Sequence, residues 1–125
     1  MAYNKLIRIA QLIYEKTKNG EIKWEATADE GTFQASLSNY SILIKRSPTV
    51  SMLAPTALLS TTYFYFILQI CNEQGQVIEE LTQSEAAAAD FKIEELFELA
   101  RRMAMDVEKA LDELIGTLEA SPQRK

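Results

Sequence analysis

A long stretch without charge, residues 47–72, restricts the fold of this chain more than any other feature of its sequence. A membrane-spanning helix needs about 20 predominantly apolar residues. Here Pro48 and Pro55, together with several serines and threonines, interrupt the apolar positions. We therefore expect no membrane segment. The pattern instead indicates a loop with apolar side chains, residues 47–58, that leads into a buried strand.

The strand that follows, residues 59–72, is apolar on both of its faces. Between Thr61 and Ile67 the side chains are almost all β-branched or aromatic, which favours a strand. If helices cover one face of the sheet, one row of this strand faces away from them. Leaving such a row in water forfeits on the order of 10 kcal/mol, so we expect a helix, a second copy or another protein to cover it. The outward row is either Phe64, Phe66, Leu68 and Ile70, or Tyr63, Tyr65 and Ile67.

Hydrophobic periodicity predicts the elements before and after this strand. Apolar residues recur at helical spacing from Leu6 to Ile13, and Gly20 suits the end of that helix. Farther along, apolar and polar positions alternate, and turns rich in Asn, Asp and Gly separate the alternating segments. These segments predict an antiparallel meander of five strands at residues 22–27, 33–38, 40–45, 59–72 and 76–81.

The helical region after the sheet has two candidate starts. Thr82 and Glu85 have the spacing of a capping box, but Asp90 is an equally good N-cap, and we favour this later start. Residues 103–106 then form either a tight corner between two helices or a bend in one. The chain is thus predicted to be a single α+β domain over residues 1–120: an N-terminal helix, a five-stranded antiparallel meander sheet and one or two C-terminal helices. Residues 121–125 form a polar C-terminal tail.

The composition removes several kinds of chemistry. The chain has no histidine and a single cysteine, which excludes histidine-based catalytic triads and an internal disulfide. Its four isolated glycines form no phosphate-binding loop. Paired carboxylates such as Glu94 and Glu98 lie opposite the apolar stripe of their helix and indicate a solvated face. We expect no enzyme activity, no cofactor and no metal, and a cytoplasmic location because no signal peptide is recognisable.

The charge balance opposes binding to nucleic acid. Thirteen basic and eighteen acidic residues give a net charge of −5, whereas nucleic-acid affinity depends on neutralising phosphates. Arg101 and Arg102, with Lys45 and Arg46, are the candidate contacts, but acidic residues surround the arginine pair in the sequence. We do not expect a nucleic-acid partner.

Three further segments are residues 16–25 (KTKNGEIKWE), 31–37 (GTFQASL) and 96–102 (LFELARR), the last followed by Val107 and Ala110. Together they resemble small uncharacterised bacterial α+β proteins of unknown function. The resemblance covers both ends of the chain and leaves the middle unmatched. It implies no activity, cofactor or catalytic residue.

These observations predict a non-catalytic protein-interaction domain of the adaptor, dedicated chaperone or inhibitor type that forms a homodimer. The alternative is a small-ligand-binding protein or an enzyme with a pocket between sheet and helices, walled by Trp24, Tyr63, Tyr65 and the loop. For the favoured interpretation the predicted partner-binding residues are Val50, Met52, Leu53, Phe64, Phe66 and Leu68.

Overall fold

The computed structural model of the chain describes residues 2–51 and 61–120. Its five strands form one antiparallel sheet in the order β1-β2-β3-β4-β5, which confirms the predicted α+β meander. The elements follow one another as α1 (Ala2–Lys18), β1 (Glu25–Ala26), β2 (Thr32–Leu37), β3 (Tyr40–Ser51), β4 (Thr61–Cys71), β5 (Val77–Thr82), α2 (Gln83–Ala88), α3 (Ile93–Ala104) and α4 (Val107–Ala120).

Helix α1 forms because its apolar residues share one side. Leu6, Ala10 and Ile13 are buried, as their spacing predicts. The helix ends at Lys18, and Gly20 just beyond it has a φ of 77° and lets the amide of Glu21 donate to the carbonyl oxygen of Lys16 at 2.9 Å. The chain then turns back along the helix towards the sheet.

One row of side chains crosses the sheet and meets the helices. Phe33 lies opposite Ile44, Ile44 opposite Leu68, and Leu68 opposite Leu81. The buried residues of α1, α2 and α3 join this row in a single cluster. The ring of Phe97 in α3 lies 5.5 Å from the ring of Phe33. These helices therefore pack on the same face of the sheet.

Strand β3 is longer than predicted, and the loop prediction for residues 47–51 is wrong. Pro48 and its neighbours continue the strand, pairing in register with β4 as far as Ser51 opposite Thr61. Proline is tolerated in a strand where its missing N–H would point away from the neighbouring strand. The loop prediction for residues 52–58 lies outside the described residues.

The capping box is formed, and the preference for Asp90 as N-cap is wrong. The Thr82 hydroxyl accepts from the amide of Glu85 at 3.3 Å, and the Glu85 carboxylate accepts from the amide of Thr82 at 3.0 Å. This box starts the short helix α2 directly after β5. Asp90 has a φ of 65° and turns the chain so that Phe91 enters the core. Helix α3 begins after Lys92, whose side chain makes no capping hydrogen bond.

A buried hydrogen bond connects α1 to the segment before the sheet. The indole nitrogen of Trp24 donates to the hydroxyl of Thr17 at 3.0 Å, and both residues are buried. Thr17→Val keeps the shape but leaves the indole N–H without a partner, so we expect a loss of about 1–3 kcal/mol in the free energy of unfolding. Urea denaturation followed by circular dichroism measures it. In a Trp24→Phe background the same change should cost much less, and an equal cost there would contradict the role of this bond.

Candidate interaction surfaces

Contacts with helix α3 show which of the two rows of side chains on β4 faces the helices. The ring of Phe66 lies 5.2 Å from the ring of Phe97, and Leu68 has no exposed surface. Tyr65 and Ile67 alternate with them and point to the opposite face, where they are half-buried. Of the predicted partner-binding residues, Phe66 and Leu68 therefore belong to the packed face, because α3 covers it.

Two of the other predicted partner-binding residues lie in the described part of the central strands. Val50 is in β3, opposite Thr62, and Phe64 is in β4, opposite Pro48. Met52 and Leu53 lie outside the described residues. Around Val50 and Phe64, the structure thus defines the backbone pairing of β3 with β4.

The two central strands extend past their neighbours as a two-stranded ribbon. Strand β2 stops where Thr32 pairs with Lys45, and β5 stops where Thr82 pairs with Ile67. Strands β3 and β4 remain paired beyond both points, and we call residues 46–51 and 61–66 the ribbon. Within residues 2–51 and 61–120, no strand pairs with either outer edge of the ribbon.

Two hydrogen bonds show which way the amide groups of the ribbon point. The amide of Arg46 donates to the carbonyl oxygen of Gly31 at 2.8 Å, and the amide of Phe66 donates to the side-chain oxygen of Gln83 at 3.3 Å. Both amides therefore point away from the β3–β4 ladder. Along antiparallel strands, pairs that hydrogen-bond to each other alternate with pairs whose amides point outward. Arg46–Phe66 is an outward-pointing pair, so the next pairs of this kind are Pro48–Phe64 and Val50–Thr62.

The two edges of the ribbon consequently differ. On the β4 edge, the amides of Thr62 and Phe64 point outward and each can donate to another strand. On the β3 edge, Pro48 occupies an outward position and has no N–H to donate. The β4 edge is therefore the better template for an added strand.

Helix α4 presents a second incomplete surface. It has no buried residue, and its main contacts are with α3. Arg102 of α3 forms an ion pair with Glu108, which connects the two helices across a break at Asp106, where φ is 53°. Its large apolar side chains are exposed at Leu111 (44%), Leu114 (54%), Ile115 (52%) and Leu118 (70%).

A third surface is an apolar groove of about 430 Å³ between α1 and the end of the sheet opposite the ribbon. Ile9, Leu37, Tyr40 and Ile78 supply much of its wall. Simple alternation predicts that Ile78 and Glu79 face opposite sides of β5, and this is wrong. The register with β4 shifts between Ile70 and Cys71, and this bulge brings both residues to the groove.

Trp24 and Tyr65, predicted to wall one pocket, lie on opposite faces of the sheet, and residues 52–58 of the loop in that predicted pocket lie outside the described residues. Trp24 is buried on the helix side and bonded to Thr17, whereas Tyr65 points to the other face of the sheet. No group of three or more His, Cys, Asp or Glu in the described part of the chain is placed to hold a metal ion. Cys71 is buried.

Three of the four basic side chains considered for nucleic-acid binding contact other side chains of the described chain. Arg101 donates to Glu98 at 2.5 Å, Arg102 pairs with Glu108, and the guanidinium of Arg46 lies 5.1 Å from the centre of the Phe97 ring. The hydrogen bond from Arg101, more than the charges of the other arginines, holds the pKa of Glu98 below its usual value. No helix among the described residues has the length and apolar character to cross a membrane.

Comparison of the chain with family models, with curated proteins and with solved structures finds no match.

The lowered pKa of Glu98 predicts a pH-dependent contribution to stability. A carboxylate whose pKa is lower in the folded state stabilises above its unfolded value of 4.5, and this contribution disappears as the pH falls through the lowered pKa. Because the pair with Arg101 is exposed and spaced i, i+3, Glu98→Gln should cost only about 0.2–0.5 kcal/mol at neutral pH and nothing in acid. Urea denaturation at neutral pH and in acid measures the loss in the free energy of unfolding under each condition. Glu113→Gln is the control, and an equal loss for both variants would contradict the assignment.

Proposed function

We propose that the protein is a cytoplasmic, non-catalytic protein-interaction domain that forms a homodimer through the β4 edge of the ribbon. One observation carries this proposal: the outward amides of Thr62 and Phe64 lie on an edge without a strand partner in the described chain. Such a dimer leaves the other surfaces of each protomer available for the partner of an adaptor, a dedicated chaperone or an inhibitor.

The chemistry of the ribbon favours a second copy at this edge. A two-stranded ribbon is at best marginally stable in water, and further strands stabilise it. Two identical β4 edges can pair antiparallel about a twofold axis, so that each supplies the donors and acceptors that the other needs. Charged residues normally protect an edge from such pairing, and residues 47–72 contain none.

A pair of proline variants tests the β4 edge. Thr62 and Val50 lie opposite each other, and the amides of both point out of the β3–β4 ladder. Proline at either position removes an outward N–H and leaves the ladder bonds in place. We expect Thr62→Pro to convert the dimer into a monomer of 14.1 kDa, and Val50→Pro to leave the dimer intact. Sedimentation velocity at high micromolar concentration distinguishes these masses.

Two results would contradict the proposal. If the wild-type protein stays monomeric at high micromolar concentration, it does not form the proposed homodimer. A dimer that survives Thr62→Pro but dissociates with Val50→Pro uses the β3 edge instead. Circular dichroism of both variants checks that each remains folded.

A small-ligand-binding protein is the second candidate function, and the groove between α1 and the sheet favours it. The groove has an apolar wall with Lys5 and Glu79 on its lining, which suits a ligand with an apolar body and one polar end. It lies at the opposite end of β3 and β4 from the ribbon.

Two variants at neighbouring positions of β5 test this second function. Ile78 lines the groove and Val77 does not, although both are about half exposed. If the groove binds a ligand, a medium-chain fatty acid should bind the wild type and Val77→Arg, whereas Ile78→Arg should lose the binding because the new side chain fills the groove. Isothermal titration calorimetry measures the affinity. Absence of binding to the wild type, or equal binding to both variants, would count against this function.

A further inference from the structure

The apolar side of α4 has the spacing of a helix-packing seam. Val107, Leu111, Leu114 and Leu118 follow one another at intervals of four, three and four residues. This spacing places them on one side of the helix, where two packed helices interlock. Helices of this length are marginal in water unless their apolar side is packed. The exposed leucines therefore indicate a surface that another helix covers.

The charges beside this seam are almost all negative. Glu108, Asp112 and Glu119 are separated by four and seven residues, so they line the same flank of the seam. The other flank carries Ala110 and Thr117, and Glu113 lies farther round the helix, towards Lys109. Lys109, the one lysine of α4, lies on the side of the helix opposite the seam. A partner helix would thus meet an apolar strip bordered by carboxylates.

A second copy of α4 supplies no positive charge to this flank. In an antiparallel helix pair each flank faces the same flank of its copy, so the acidic flanks face each other, and like charges select against pairing. In a parallel pair the acidic flank faces Ala110 and Thr117, which carry no charge. Glu108 already pairs with Arg102 of α3, so the basic side chains of a partner would mainly meet Asp112 and Glu119.

We propose that α4 docks a basic amphipathic helix of a partner protein. The apolar residues of that helix pack on the seam, and its Lys or Arg side chains face the flank of Glu108, Asp112 and Glu119. The seam from Val107 to Leu118 spans about 17 Å, which corresponds to about 12 residues of partner helix. The inference rests on the proposed function as a protein-interaction domain and adds the chemical class of its partner.

The same charges argue against a membrane as the occupant of this surface. Helices that lie on anionic membranes carry Lys and Arg beside their apolar side, because these residues are attracted to the lipid headgroups. The flank of α4 carries carboxylates instead.

Three labelled synthetic peptides test the docking surface on the full-length protein. The first has leucines at seam spacing and lysines on its flanks, the second has glutamates in place of the lysines, and the third has the composition of the first in scrambled order. We expect the first alone to bind, to gain helix on binding, and to bind less tightly as salt is added. Fluorescence anisotropy and circular dichroism give these readouts.

Variants of α4 locate the binding site. Leu114→Ser should weaken binding of the basic peptide by about tenfold or more, since it removes a central apolar contact. Asp112→Lys should weaken it about threefold to tenfold at low salt, because it places a positive charge on the flank. Lys109→Gln, on the opposite side, is the matched control and should bind like the wild type.

Several results would overturn the inference. Binding of neither peptide, or equal binding of the basic and acidic peptides, contradicts a basic helical partner. Loss of the dimer in Leu114→Ser shows that a second copy covers the seam, and a large loss of stability shows that the chain covers it itself. Binding of the protein to vesicles rich in phosphatidylserine, abolished by Leu114→Ser, assigns α4 to a membrane. Thr62→Pro should bind the basic peptide like the wild type, so failure of the dimer and failure of this site are distinguishable.

Discussion

The packing of Phe97 against the sheet determines which surfaces of this protein remain available to other molecules. Its ring contacts Phe33 on one side and Phe66 on another, and the guanidinium of Arg46 lies over it. Because side chains alternate along a strand, placing Phe66 against α3 turns Tyr65 and Ile67 to the other face. The position of one ring in α3 thus sets the orientation of the whole of β4.

The outward row of β4 needs less cover than its sequence suggests. Tyr65 and Ile67 are only half exposed, and the row continues with Gln69, whose amide donates to Glu80 at 2.9 Å. Neighbouring side chains of the sheet therefore shield much of this row. What remains incomplete is the edge of the ribbon, where the missing interactions are backbone hydrogen bonds rather than buried apolar area. A partner is therefore expected at the edge of the sheet rather than on its face.

The order of helices and strands could be predicted from the sequence because each depends on local periodicity and turn residues. The extension of β3 through Pro48 could not, since proline usually signals a turn. Its acceptability depends on the direction of its missing N–H, which the register with β4 sets. The bulge that turns Ile78 towards the groove is likewise a property of pairing between strands.

The candidate interaction surfaces could likewise be predicted from the sequence only in part. The sequence identified the uncharged segment around Val50 and Phe64, but the exposed edge follows from how early β2 and β5 end. The apolar stripe of α4 was equally visible. An amphipathic pattern is the same whether its apolar side meets its own sheet or solvent, however, so the exposure of Leu114 and Leu118 required the structure.

The ribbon edge and α4 differ in whether they suit a second copy of the chain or a different protein. An uncharged strand edge is complementary to itself, since donors and acceptors alternate along it and no charge opposes a second copy. The α4 seam is not complementary to itself, because a second copy brings no basic residue to its acidic flank. Hydrogen bonds between uncharged backbones depend little on salt, whereas attraction between charged flanks weakens as salt is added. One small chain can therefore keep self-association separate from recognition of a different protein.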